Sequence, residues 1–281
     1  MNKISIITIN YNNLEGLRKT MQSVVQQTNK FFEYIVIDGG STDGSADYIA
    51  ENAKNIDYLI SEKDTGIYNA MNKGIKKATG EYLLFLNSGD CFADNNVLEH
   101  TLPYLTTQHS FVYGNMFLSK NDVRISKLIT PTKLDFSYFV TNSLPHPATF
   151  IKRQLFYTYF LYNEALKIVA DWEFFIYCIC KQNESYQHIN ITISDFDNNG
   201  LSSLKDNKQK IIAEEDKVFE NHFPMFLSEV NWVRNIKTKR LQQLNYVATQ
   251  KIRWKFLKAI LSTFVNTKEV NYTKPVFTKL S

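Results

Sequence analysis

Cysteine is scarce in this 281-residue chain, occurring only at Cys91, Cys178 and Cys180. Three such residues are too few and too clustered for a disulfide framework, and Cys178-x-Cys180 lacks the second pair that a structural zinc site needs. Buried thiols in a reducing compartment are the expectation. His100, His109, His188 and His222 show no ligand spacing, a second argument against zinc. Long hydrophobic runs are missing too, and no stretch approaches the length of a transmembrane helix. The opening Met1-Asn2-Lys3-Ile4 reaches its apolar run with one basic residue and soon meets Asn10 to Asn13, so no signal-peptide h-region is expected. There is no internal repeat, no low-complexity segment and no Gly/Ser- or Pro-rich linker. What remains is a chain with 44% hydrophobic residues, ordinary for a globular protein and long enough for a sizeable core.

The net charge of +4 hides a division. From Arg234 to Ser281 eleven Lys and Arg stand against Glu269 alone, a net of +10, while the preceding residues carry 21 bases and 27 acids. A basic tail calls for an anionic partner. Within it, Lys251, Lys255 and Lys258 share one helical face with Ser262, while Ile252, Phe256, Ile260 and Phe264 occupy another, widened by Trp254, Leu257 and Leu261. That pattern suits a helix lying in an anionic membrane interface, with a C-terminal helix packed on the preceding domain as the alternative. Nucleic acid is not expected, because no binding module accompanies the charge.

Through about residue 115, short β-rich runs alternate with amphipathic stretches, which predicts βαβ units and a parallel sheet. The run Tyr82 to Leu86 is long enough for one buried strand and ends in Asn87-Ser88-Gly89-Asp90. Ile4 to Ile9, Tyr34 to Ile37 and Tyr58 to Ile60 likewise run into polar residues, so polar groups gather beyond the carboxyl ends of the strands, where open α/β sheets bind ligands. Helices are predicted at Leu14 to Val25, at Ala46 to Ala53 with Ser45 as cap, at Ile67 to Ala78 and at Asn95 to Leu105. From Asn115 to Leu144 no clear period is visible. Pro145-His146-Pro147 marks a constrained turn, helical pattern returns at Lys152 to Tyr159 and Asp171 to Lys181, and a strand at Ile189 to Ile193 precedes a loop from Asp195.

Six segments carry a resemblance: Ile6 to Asn12, Tyr34 to Ser45, Glu62 to Gly74, Leu86 to Asp90, His146 to Phe150 and Ala170 to Glu173. In this order they resemble the family 2 inverting glycosyltransferases with the GT-A nucleotide-diphospho-sugar transferase fold, especially bacterial members of O-antigen and capsule pathways. The resemblance implies an α/β fold with a Rossmann-like, mostly parallel sheet in residues 1–233, and the charge pattern adds a C-terminal basic amphipathic helical tail at 234–281. The donor half is expected at about 1–115 and the acceptor and catalytic half at about 116–233.

The family likeness also implies roles. Asp90 matches the last acid of an Asp-x-Asp-like motif, with Asn87 at its start and Gly89 where an acid is often found. It would bind Mn²⁺ or Mg²⁺, which suit hard oxygen ligands. Thr8, Asn10, Tyr11, Asp38, Asp64, Asn72, Asn87 and Ser88 are expected at the donor, with Asp38 able to accept from a uracil N–H or a ribose hydroxyl. For Tyr11 a half-buried aromatic, and for Asp64 and Asn72 capping or surface solvation, are the alternatives. Asp171, preceded here by Ala170, matches the catalytic base; it reads also as a helix N-cap, and Glu173 two residues on diverges too far to share its task. His146 and Trp172 are expected near acceptor or diphosphate, with a structural His146 as the alternative. The expected partners are a nucleotide-sugar donor, a lipid-linked saccharide acceptor and the inner face of a bacterial cytoplasmic membrane. A nonenzymatic sugar-nucleotide-binding protein and a nucleotidyltransferase are the rivals, the latter lacking a Gly-rich triphosphate loop after the first strand.

Overall fold

The computed structural model of the chain describes residues 3–106, 108–198 and 207–236, with single residues at 243, 246, 247, 249 and 257. It divides into two compact units, Met1–Leu227 and Ser228–Ser281. The basic stretch from Lys251 to Phe264 thus lies outside the described residues apart from Leu257.

The first unit alternates strand and helix: β1 (Ile4–Asn10), α1 (Leu14–Val25), β2 (Phe32–Asp38), α2 (Ser45–Glu51), β3 (Tyr58–Ser61), α3 (Ile67–Lys77), β4 (Tyr82–Phe85), β5 (Cys91–Phe92) and α4 (Val97–Thr101). It continues with β6 (Phe111–Lys120), β7 (Val123–Leu128), α5 (Phe136–Phe139), β8 (Thr149–Lys152), α6 (Gln154–Thr158), α7 (Ala170–Ile176), β9 (Tyr186–Asp197) and α8 (Lys208–His222). A helix α9 (Leu227–Ile236) starts at the boundary and runs into the second unit.

Strands β1, β2 and β4 form because their runs are largely apolar on both faces, and such runs are stable only where helices cover both; β3, at the sheet edge, has no buried residue. Every residue of β1 and β4 is buried. Alternation decides which helix each side chain meets. Ile4, Ile6, Tyr34, Val36 and Leu84 join Leu17, Met21 and Val24 of α1 in one core, each fully buried apolar side chain contributing about 1.5–3 kcal/mol. On the other face, Gly74 of α3 lies so close to Ile7 and Ile37 that a Cβ there would stand 2.5 Å from Ile7 Cγ2, so only glycine lets α3 settle on the sheet.

The strand order is β3-β2-β1-β4-β8-β6-β9-β5, with β7 paired to β6. The sheet is mixed, parallel in its first half as the alternation of strand and helix predicts. Strands β3, β2, β1 and β4 pair in parallel, as do β6 and β9, but β8 is antiparallel to β4 and β6, β7 to β6 and β5 to β9. The chain turns at Pro145 to Ala148 on the site side of the sheet and re-enters directly as β8, without a crossover helix to reverse it. Strand β9 also runs on through Asp195 to Asp197, where a loop was expected. Ser45 does not cap α2; its N–H and hydroxyl both donate to Asp43 Oδ1, at 3.1 and 2.6 Å, so Asp43 braces that helix start.

Candidate active site

The parallel register sets Asn10 opposite Asp38 at the ends of β1 and β2, and Asn10 Nδ2 donates to Asp38 Oδ1 at 2.8 Å. Ser41 Oγ and Ser61 Oγ each donate to Asp38 at 2.6 Å, and the N–H groups of Gly40 and Ser41 at 3.2 and 2.9 Å. Burial pushes the Asp38 pKa up, but these hydrogen bonds outweigh it and hold the carboxyl below its ordinary value. Both oxygens are therefore engaged from within. Asp38 thus accepts five hydrogen bonds from the strand ends and the turn around it. Above it, Asp64 lies against Gly39, where a Cβ would collide with its carboxylate and stand 3.2 Å from the Tyr11 ring. Tyr11 is 65% exposed, and Asn10 Oδ1 is buried without a partner.

Beyond β4 the chain makes the Asn87-Ser88-Gly89-Asp90 turn, with Gly89 at φ +109°. Helix α1 holds it: Thr20 Oγ1 accepts from Gly89 N at 3.0 Å, and Asn13, the cap of α1, donates to the Ser88 carbonyl at 3.0 Å. Asp90 is buried, and burial pushes its carboxyl up to about 6 against the opposing charge of His146 and the Asp197 N–H that donates to Oδ1 at 3.2 Å.

The turn before β8 carries His146 to this place. Its Nε2 lies 4.0 Å from Asp90 Oδ2 and 3.1 Å from Asn87 Nδ2, and its Nδ1 lies 3.3 Å from Asp171 Oδ2. With the ring neutral, Asn87 donates to Nε2 and Nδ1–H donates to Asp171. Burial lowers the His146 pKa, but the hydrogen bond to Asp171 and the charges of Asp171 and Asp90 outweigh it and hold the pKa above its ordinary value. Asp171 sits in the first turn of α7 and does not cap it, since the cap position is Val169 and no side chain bonds there. Its other oxygen accepts from Tyr68 Oη at 2.9 Å. Glu173 turns inward to His222 Nε2, 3.0 Å away, so the two carboxylates face different partners.

A Mn²⁺ or Mg²⁺ ion asks for oxygen ligands. The turn offers the Asp90 carboxylate and Asn87 Oδ1, a buried acceptor with no partner. A Cβ at Gly89 would stand 3.2 Å from Asp197 Oδ2, so a carboxylate from β9 fills the space where position 89 lacks one. Among the described residues no group of three or more His, Cys, Asp or Glu could hold a metal ion. The residues therefore fit a cation that takes one or two protein oxygens and completes its shell with phosphate and water, as Mg²⁺ commonly does.

Three expected site residues, Thr8, Asn72 and Trp172, are buried and bonded within the protein. Thr8 is fully buried and accepts from Tyr34 Oη at 3.1 Å. Asn72 clamps the chain before α7, donating to the Tyr162 carbonyl at 2.8 Å and to Glu164 Oε1 at 2.9 Å. Trp172 Nε1 donates to the Phe139 carbonyl at 2.9 Å while its ring packs on Phe219. In the other direction, Tyr68, Thr20, Asn13 and Glu214 were not singled out from the sequence. Glu214 of α8 accepts the N–H groups of Lys167, Ile168 and Val169 at 2.8, 3.0 and 3.3 Å, fixing the approach to Asp171.

The model of the family described as Glycosyl transferase family 2 matches residues 5–164, more than half of the chain. The chain belongs to that family. This glycosyltransferase is 30% identical over 205 residues to the PGL/p-HBAD biosynthesis glycosyltransferase of Mycobacterium bovis (strain BCG / Pasteur 1173P2), covering 71% of this chain and 78% of that one. Among solved structures, S. aureus TarS 1–349 in complex with UDP-GlcNAc superposes with a TM-score of 0.58 at 18% identity, over 69% of this chain. The chain spans 58% of that TarS chain. The mannosyltransferase PcManGT from Pyrobaculum calidifontis, in complex with GDP-Man and Mn²⁺, gives 0.58 at 12% identity over 95% of this chain and 81% of that one. At such identities the likeness is one of fold, and the glycosyltransferase has the GT-A α/β fold.

Proposed function

We propose that this glycosyltransferase moves a sugar from a nucleotide-diphosphate sugar, with UDP as the nucleotide, to a saccharide hydroxyl with inversion at the anomeric carbon. The observation that carries the reading is His146 standing between Asp90 and Asp171, 4.0 and 3.3 Å away. It joins the acid suited to the leaving diphosphate and the acid suited to the attacking hydroxyl. In this reading Tyr11 offers the base an exposed ring, Asn10 Oδ1 accepts an N–H of the base, and Asp90 with Asn87 Oδ1 holds Mn²⁺ or Mg²⁺. The bound cation would supply positive charge to the departing diphosphate. Asp171 takes the acceptor proton as the new C–O bond forms and the sugar–phosphate bond breaks. The PcManGT complex with GDP-Man and Mn²⁺ and the TarS complex with UDP-GlcNAc support the donor class.

The acceptor in this proposal is a lipid-linked saccharide of surface polysaccharide synthesis, of O-antigen or capsule type, met at the inner face of the cytoplasmic membrane. The family likeness and the +10 tail support it. No helix among the described residues is long and apolar enough to cross a membrane.

A screen of nucleotide sugars with Mn²⁺ or Mg²⁺, following nucleotide release and thermal shift together, identifies the donor. Asp171→Asn then tests the base, since it keeps the shape and loses the basicity. Donor affinity and melting temperature should hold while single-turnover transfer falls by about 10²-fold or more. A folded variant within a few-fold of wild type removes Asp171 from the chemistry.

A further inference from the structure

The base has a partner that neither the family match nor the sequence motifs single out. Tyr68, the second residue of α3, is 5% exposed, and its ring packs on that of Tyr162 with centroids 5.6 Å apart. Its hydroxyl reaches two acceptors, Asp171 Oδ1 at 2.9 Å and the Ile168 carbonyl at 2.7 Å. One phenolic proton cannot point fully at both. The Ile168 carbonyl can only accept, and it is held in place because Glu214 binds the N–H groups of Lys167, Ile168 and Val169.

Resting on the reading of Asp171 as base, we propose that Tyr68 is a positioning residue whose hydroxyl swings between Asp171 and the Ile168 carbonyl as the carboxylate gains its proton. Before transfer, Tyr68 O–H donates to Oδ1 while His146 faces Oδ2, and the two fix the plane of the carboxylate. A donor that could bond only the charged form would hold that form down and make the base weaker. Tyr68 escapes this cost. When Asp171 takes the proton of the acceptor hydroxyl, the Tyr68 proton turns to the Ile168 carbonyl and keeps its hydrogen bond. The only proton transferred is the acceptor's; the electron pair of the broken sugar–phosphate bond leaves with the diphosphate. Burial and the neighbouring Asp171 raise the Tyr68 pKa far above its ordinary value, in keeping with a phenol that stays neutral throughout.

The test is a double-mutant cycle of Tyr68→Phe with Asp171→Asn, read by kcat, donor KM and thermal midpoint. The phenyl ring preserves the packing. Tyr68→Phe should lower kcat by about tenfold to a hundredfold, the scale of a misplaced reacting group, with donor KM within about twofold of wild type. In the Asp171→Asn background the same change should cost less than about threefold, because a residue acting through Asp171 has nothing left to position. A folded Tyr68→Phe enzyme with kcat within twofold of wild type overturns the proposal, as do losses that multiply in the double variant. Full activity of Asp171→Asn alone would instead overturn the base assignment, and with it this role; the single variants tell the two failures apart.

Discussion

Asp38, at the end of β2, and Asp90, in the turn after β4, lie on either side of β1 in the sheet and respond to pH in opposite senses. The carboxyl of Asp38 is held below its ordinary value in the folded state, so its contribution is present above pH 3.8 and is lost as pH falls through the folded value. Asp90 is raised from 3.8 to about 6. In metal-free protein its ionisation therefore costs stability, a cost absent below pH 3.8, growing towards 6 and complete above, on the order of 2–3 kcal/mol. Asp90→Asn, which keeps the acceptor for Asp197 N–H, should raise the thermal midpoint of metal-free protein at pH 7.5 and leave it little changed at pH 4. The wild type alone should gain a further rise from Mn²⁺ with UDP. Equal midpoints at both pH values would show that the Asp90 carboxylate is not buried as described. Asp90, Asp171 and His146 were readable as candidates because their segments occur in a recognisable order. Tyr68 was not, although it lies inside one of those segments: its partner is 103 residues away, and no local pattern records such a pairing.

At the scale of elements, the placement of Asp171 depends on what holds α7. The carboxylate of Glu214 ends three backbone N–H groups that α7 itself cannot satisfy, and the His222–Glu173 pair ties the last turn of α8 to the same helix. Glu214→Ala leaves those groups to water and loosens the Ile168 carbonyl and Asp171 together. The expected outcome is a loss of about 2 kcal/mol of stability and about a tenfold fall in kcat at unchanged donor KM. Chemical denaturation and steady-state rates on one preparation check it; normal values for both would show that the loop is held by other means. Elements with two buried faces, such as β1 and β4, were plain in the sequence, because burial prints an unbroken apolar run. Strand β8 was missed: its four residues carry only Phe150 and Ile151 between polar ends, too little to show a period. Strand β7 is exposed along its whole length, so no buried face imposes alternation on it.

Across the whole molecule, charge separates from chemistry: the site residues all fall in the first unit, while the +10 stretch from Arg234 falls in the second. Truncation after Ile236 should leave transfer to a soluble acceptor analogue intact and abolish co-sedimentation with anionic vesicles. High salt should release the intact protein in part, since screening weakens the lysine attraction. Equal sedimentation of both forms would take the membrane away from the tail. The mixed sheet has a further consequence, one that concerns synthesis of the chain. Strand β4 finds its first neighbour, β1, already made, but its second neighbour is β8, which begins at Thr149. Roughly 60 residues must be added in between, about 3–12 s at ordinary translation speeds. During that interval Tyr82-Leu83-Leu84-Phe85, wholly buried in the finished fold, presents a bare hydrophobic edge to solvent. The strand that completes the edge follows directly on the turn that delivers His146. The nascent chain thus keeps this edge open until the segment that also carries His146 has been made, with Asp171 still to follow.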